Sequence, residues 1–162
     1  MESPIKTPEQ LLQYRPLRRI LADKGGVVHA VGPDDTVFAA VEQMATHDVG
    51  FLIVLDQERL VGVLSERDCA RRVLLKGRTT DTPVHDVMTG EVVTVGPDQT
   101  LPQCMALMHG HALRHLPVVD QGSVIGVLSM RDLLAEIVEH HERVIRDLEI
   151  ERMSMMTGGS TY

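Results

Sequence analysis

The heptapeptide GVLSERD at residues 62–68 returns sixty-four positions later as GVLSMRD at residues 126–132, with Met130 in place of Glu66 as the single change. Laid on itself at that offset, the chain pairs residues 31–68 with 95–132 without a gap, and about 17 of the 38 pairs are identical. The matches run along the whole unit. Val-Gly-Pro-Asp with Thr36 and Thr100 opens it, Met44 and Met108 lie in its middle, and Gly-Val-Leu-Ser followed by Arg-Asp closes it. At 162 residues the chain is about one ordinary domain long, so the two copies must build one shared core.

Both copies give the same order of elements. VVHAV and EVVTV are short β-branched runs stopped by Gly-Pro-Asp, which is turn chemistry, and they predict strands. Next come residues at helical spacing: Val37, Ala40, Val41 and Met44 in one copy, Leu101, Cys104, Met105 and Met108 in the other, behind Thr36 and Thr100 as N-caps. FLIVLD with RLVGVLS, and HLPVVD with SVIGVLS, predict strands paired across short polar turns, and a second helix opens at Ser65 and Ser129. The order strand, helix, strand, strand, helix is an α+β pattern, an α/β sandwich. Each small sheet leaves an apolar face bare, which two units related by a pseudo-twofold axis would bury. The predicted divisions are residues 1–24 as an N-terminal helical segment with its helix over 9–23, residues 25–80 and 81–138 as the two units, and residues 139–162 as a helical extension with a mobile tail. KGRTTDTPVHDVMTG predicts a polar linker with a short helix. The long helix over 131–153 carries Leu134, Ile137, Val138, Ile145 and Leu148 on one side, suited either to a partner subunit or to the chain's own core.

Composition excludes several roles. A net charge of −7 and 2% aromatic residues leave neither a basic surface nor rings for unpaired bases, so nucleic acid is not an expected partner. No apolar run approaches the roughly 20 residues needed to cross a bilayer, and the acidic balance disfavours anionic lipid. MESPIKTPEQ lacks the basic start and apolar run of a secretory signal, which predicts a cytoplasmic protein. Cys69 and Cys104 sit in apolar helical patterns and read as buried, reduced thiols. His109, His111, His115, His140 and His141 have neither the spacing nor the companions of a metal cage and read as surface residues, while Met44, Met105 and Met108 read as core filler. No nucleophile with a base, no P-loop and no GxGxxG is present, so neither catalysis nor a catalytic cofactor is expected.

The repeated heptapeptide has two physical readings. Ser65 and Asp68, ahead of CARRVLL, fit a capping box. The same helix start, with free N–H groups at the positive end of the dipole, is also an anion site. There a hydroxyl can hold phosphate, and a carboxylate can accept hydrogen bonds from both hydroxyls of a ribose. The acid is Asp twice, although Glu caps at least as well. Arg67 and Arg131 precede it, ready for phosphate, and Gly62 and Gly126 let the backbone come close. Capping and ligand binding do not exclude each other.

The unit opened by VGPDDTVFAAVEQM and closed by GVLSERD resembles the CBS domain, named after cystathionine β-synthase and usually found in tandem as a Bateman module. VMT before the second unit and HLPVVD within it also match, and the resemblance covers roughly residues 20–138. It implies a cleft between the units with two equivalent sites for an adenine nucleotide (AMP, ADP, ATP, NAD or S-adenosylmethionine), which is sensed and not transformed. Asp68 and Asp132 would hold the riboses, and Ser65 and Ser129 would touch ribose or phosphate. Each pocket would be completed by the other repeat: His29, Val49 and Gly50 for Asp132, and Met88, Thr89, Val93 and Leu113 for Asp68. Arg114 and His115 stand where the family often places phosphate-facing basic groups. The first unit departs from this pattern, with Gly50 and Phe51 at those positions and LADKGG in place of VHDVMTG, so the two sites are expected to be unequal. The resulting expectation is a homodimeric adenine-nucleotide sensor acting on a separate effector protein. The alternative is a constitutive scaffold with degenerate clefts, whose long C-terminal helix is the working part.

Overall fold

A computed structural model describes residues 13–157; the first residues of the helix expected from 9, and the chain after Thr157, lie outside the described part. The first half contains α1 (Leu17–Asp23), β1 (Ala30–Val31), α2 (Val37–His47), β2 (Phe51–Asp56), β3 (Arg59–Ser65) and a short α3 (Glu66–Asp68). The second contains α4 (Leu101–Gly110), β4 (His115–Asp120), β5 (Ser123–Ser129) and α5 (Met130–Thr157). The fold is α+β, and the duplication is visible in its details. Thr36 Oγ1 accepts from the Ala39 N–H at 3.1 Å and Thr100 Oγ1 from the Gln103 N–H at 3.3 Å, so both helices start on the predicted cap. α2 ends on Asp48, and its equivalent Ala112, two residues beyond the end of α4, is likewise left-handed at φ 52°. Each hairpin turns through two residues of positive φ, Gln57-Glu58 and Gln121-Gly122, the handedness that matches strand twist. Register shifts follow Val54 in one hairpin and Val118 in the other.

The halves differ where one residue removes a donor. In the first, β1 runs parallel to β2, and Ile53 N–H donates to the His29 carbonyl at 3.0 Å. The residue equivalent to Ile53 is Pro117, which has no N–H to give to Val93. The strand expected over EVVTV therefore shrinks to a single bridge between Val95 and Val118. VVHAV likewise pairs only over Ala30–Val31. The second helix is uneven too. α3 passes into a π-turn over Cys69–Val73 and a 3₁₀ turn over Leu74–Lys76 that stops at Gly77, φ 64°, whereas α5 runs on for 28 residues. The linker helix is a 3₁₀ turn at Val84–Asp86.

In place of the one shared core expected, two apolar clusters form the interior, one per unit, and the segments that lead into the units are crossed between them. Leu17, Ile20 and Leu21 of α1 precede the first unit but pack with Val95, Leu101, Cys104, Met108, Leu116 and Leu128 of the second. Val84 and Val87 stand at the start of the second unit but pack with Val31, Ala40, Met44, Leu52 and Leu64 of the first. Both cysteines are buried and unpaired. Val41 and Met105, expected in the core, are instead 43% and 37% exposed at equivalent positions, because Val37, Ala40 and Met44, and Leu101, Cys104 and Met108, already fill the inward stripe. Along α5 the stripe divides: Ile137 packs on the second cluster, while Leu134, Val138, Ile145 and Leu148 face outward.

α5 also carries a buried acid. The Glu136 side chain is fully covered and accepts from the Arg15 backbone N–H at 3.0 Å, Arg15 Nε at 2.6 Å and Arg143 Nη2 at 2.9 Å. Arg15 also meets Asp23 and Glu139, which binds the leading segment to α5. His140, expected on the surface, is buried beside Tyr14 with ring centroids 4.5 Å apart, because the leading segment covers that face of α5. Glu136→Ala strands two partly exposed guanidinium groups that can still turn to water. Its cost is expected at about 2–3 kcal/mol in urea unfolding, at or below the range for breaking a fully buried pair.

Candidate functional site

Both heptapeptides form the predicted capping box. Asp68 Oδ2 accepts from the Ser65 N–H at 2.9 Å and Oγ at 2.6 Å, and Asp132 Oδ2 accepts from the Ser129 N–H and Oγ, each at 2.7 Å. Each serine Oγ in turn accepts from the aspartate N–H at 3.2 Å. The boxes hold both aspartates at a helix start, and their surroundings then diverge.

Around Asp132 lies a cleft of about 490 Å³ with walls from both units. The second unit contributes Arg114 and His115 at the start of β4, Val127 and Ser129 of β5, and Met130, Arg131 and Asp132 of α5. The first contributes His29, Asp48, Val49, Gly50 and Phe51, and the segment ahead of it contributes Lys24 and Val27. The structure therefore gathers His29, Val49, Gly50, Arg114, His115, Ser129, Arg131 and Asp132 from the expected set. Phe51 stacks on His115 with centroids 4.6 Å apart and planes 13° from parallel. These are equivalent residues of the two copies, so they meet as a pseudo-twofold axis requires.

Lys24 decides the electrostatics of the cleft. Its Nζ donates to Asp132 Oδ2 at 2.7 Å and to the Val127 carbonyl at 2.8 Å. Burial alone would push the Asp132 carboxyl up, but the hydrogen bonds from Lys24 and Ser129 outweigh it and hold the acid below its ordinary 3.8. Burial, and then the charge of Lys24, hold His115 below 6.5 against the opposing pull of Asp132, so its ring is neutral at pH 7. His29, stacked on His47 at 4.2 Å, is lowered by burial and then by that neighbour. The cleft thus presents Lys24, Arg114 and Arg131 as cations, Asp48 and Asp132 as anions, and Val27, Val49, Val127 and Met130 as apolar wall.

The other expected residues, Ser65, Arg67, Asp68, Met88, Thr89, Val93 and Leu113, do not line this cleft. Thr89 pairs with Val63 through two backbone bonds of 2.9 and 3.0 Å, and Val93 and Leu113 lie against the second core. Arg72 lies across the Asp68 side. It donates to the carbonyls of Val87 at 2.9 Å and Met88 at 2.7 Å and to Thr89 Oγ1 at 3.3 Å, with its Nε 3.7 Å from Asp68 Oδ1. The two glycines also meet protein neighbours. A Cβ on Gly62 would lie 2.5 Å from Met88 Sδ and 3.0 Å from the Thr89 carbonyl, and one on Gly126 would lie 2.8 Å from Leu21 Cδ2. They admit the crossed segments.

Sequence reading missed Lys24, Val27, Asp48, Phe51, Val127 and Met130. Lys24 had one available signal, since it aligns with Met88 and is the cation in LADKGG that VHDVMTG lacks in that place.

The family profile described as "CBS domain" matches residues 25–75 and 84–139. The chain is a tandem CBS-domain protein. It is 36% identical over 121 residues to the CBS domain-containing protein CBSX3, mitochondrial, of Arabidopsis thaliana, a match covering 71% of this chain and 59% of that one. It is 39% identical over 106 residues to the CBS domain-containing protein YhcV of Bacillus subtilis, covering 65% and 76%. Thus the match spans about three fifths of the Arabidopsis protein. Among solved structures, the CBS domain NE2398 superposes with a TM-score of 0.74 at 42% identity, over 78% of this chain and 99% of that chain. The CBS domain pair of MJ0100, solved with 5′-methylthioadenosine and S-adenosyl-L-methionine, superposes at 0.67 and 21% identity, over 75% and 98%, a likeness of fold. No helix among the described residues of the pair is long and apolar enough to cross a membrane, and no cluster of three or more His, Cys, Asp or Glu among them is placed to hold a metal ion.

Asp132 and Glu136 are both held below their ordinary values, 3.8 and 4.5, Glu136 by bonds from Arg15 and Arg143 that overcome its burial. Their stabilisation is complete above those values and is lost as pH falls through the lower folded ones. Unfolding free energy should therefore drop on acidification below about pH 4.5, and the acid limb should be shallower in Asp132→Asn/Glu136→Gln, as measured by urea titrations across pH.

Proposed function

We propose that this CBS pair is a regulatory sensor of adenine nucleotides, binding them at the Asp132 cleft without turning them over. The observation that carries this reading is the joint origin of the cleft walls. An acid that can take ribose hydroxyls, three cations that can meet phosphate and an apolar wall that can take a purine come from both units and the leading segment. The volume, about 490 Å³, falls within the range of small-molecule sites. A ligand touching both units changes the balance between arrangements of the pair only through unequal contacts with them, and a shared cleft is where such inequality arises. The solved pair of the same fold that holds 5′-methylthioadenosine and S-adenosyl-L-methionine keeps that ligand class in the test set.

The Asp68 side, where Arg72 is engaged by the Val87 and Met88 carbonyls, is the weaker site or binds a different ligand. The signal passes to a separate effector protein from a homodimer. Outward apolar residues on α2, α4 and α5, namely Phe38, Val41, Met105, Leu134 and Val138, support the dimer.

Thermal melting with AMP, ADP, ATP, NAD and S-adenosylmethionine tests the reading. At 100 times its dissociation constant a ligand adds about 2.7 kcal/mol, and at least one is expected to do so. Asp132→Ala should weaken that ligand at least tenfold in calorimetric titration, while Asp68→Ala should retain it. An unchanged melting point with all of them at millimolar concentration favours the scaffold alternative, with α5 as its working surface.

A further inference from the structure

We propose that Lys24 exchanges partners when the Asp132 cleft fills, releasing the carboxylate to the sugar and taking a phosphate, and so makes the cleft select phosphorylated ligands. This rests on the reading of the cleft as an adenine-nucleotide site. Asp132 Oδ2 already takes three donors, the Ser129 N–H, the Ser129 hydroxyl and the Lys24 ammonium. A ribose diol offers two O–H donors to one carboxylate, and with Oδ2 saturated only Oδ1 can receive them well. Removing Ser129 would dismantle the helix cap. Lys24 is the donor that can leave, because its side chain is 40% exposed while Asp132 is 14% exposed. Gly25 and Gly26, which follow it at φ 83° and 63°, have nothing within 4 Å of where a Cβ would stand, so space exists for the segment to shift.

Once displaced, the ammonium has lost both its acid and the Val127 carbonyl. A phosphate beside Arg114 and Arg131 restores a partner. A bare nucleoside restores none, and a sulfonium ligand adds like charge to the same place. The other half supplies the contrast: the residue aligned with Lys24 is Met88, and the Val63 carbonyl, aligned with Val127, receives the Thr89 N–H at 2.9 Å. One backbone contact is thus made by fixed main chain in one half and by a mobile cation in the other. The cation is present in the half that has the open cleft.

Calorimetric titration of the wild type, Lys24→Met and Lys24→Arg with adenosine, AMP, ATP and S-adenosylmethionine at constant ionic strength tests this. The wild type is expected to prefer AMP to adenosine. Lys24→Met should narrow that ratio at least fivefold, with AMP weakened and adenosine unchanged or tighter, and Lys24→Arg should keep it. Lys24→Gln provides a second neutral variant should Lys24→Met fold poorly, with melting curves as the check. A smaller narrowing in a folded neutral variant, or a wild type that binds adenosine and AMP equally, overturns the role of Lys24 and leaves the nucleotide site standing. A wild type that binds none of the four overturns both.

Discussion

The structure depends on two leading segments that each pack closely over a glycine of the opposite unit's hairpin. At Gly126 the side chain of Leu21 lies where a Cβ would project, and at Gly62 Met88 and the Thr89 carbonyl do the same. Each contact seats a leading segment on the hairpin of the opposite unit. The apolar clusters follow from this, since α1 completes the second core and the Val84–Asp86 turn completes the first. The cleft follows as well, because the segment seated at Gly126 is the one that carries Lys24 to Asp132.

Duplication preserved positions more strictly than chemistry. Arg72 and Glu136 are equivalent, each one turn beyond the aspartate, and each holds a leading segment. Arg72 does so as a cation on the carbonyls of Val87 and Met88, and Glu136 as an anion on the N–H and guanidinium of Arg15. The geometry asks for a polar grip at that place and accepts either sign, provided the segment offers the complementary group. The same exchange separates the two aspartates: one faces a guanidinium held by the Val87 and Met88 carbonyls and the Thr89 hydroxyl, and the other accepts directly from an ammonium. A symmetric fold thereby surrounds two equivalent aspartates with different chemistry.

Local chemistry was legible in the sequence. Thr36, Thr100, Ser65 and Ser129 cap the helices they precede, since a cap needs only residues three apart. The paired hairpins follow from alternation and turn residues in the same way. The family was legible because the repeat is dense in shared residues. What escaped was set at long range. That Val41 and Met105 face outward depends on how wide an inward stripe the neighbouring sheet can cover. His140 is covered by Tyr14, more than a hundred residues away along the chain. Lys24 reached the site through the crossing of the leading segments, which no local pattern announces. Pro117 was in plain view, but its effect on the strand required knowing which N–H its partner needed.

The crossing has a consequence for how the halves can exist apart. Cutting between Gly77 and Val84 would give two pieces, each holding the plug that fits the other's interior: α1 would travel with the first unit while its socket stayed on the second, and Val84 and Val87 would do the reverse. Neither piece could close its own core, yet together they would carry every matching surface. The tandem arrangement is thus a mutual insertion, closer to two clasped hands than to beads on a string.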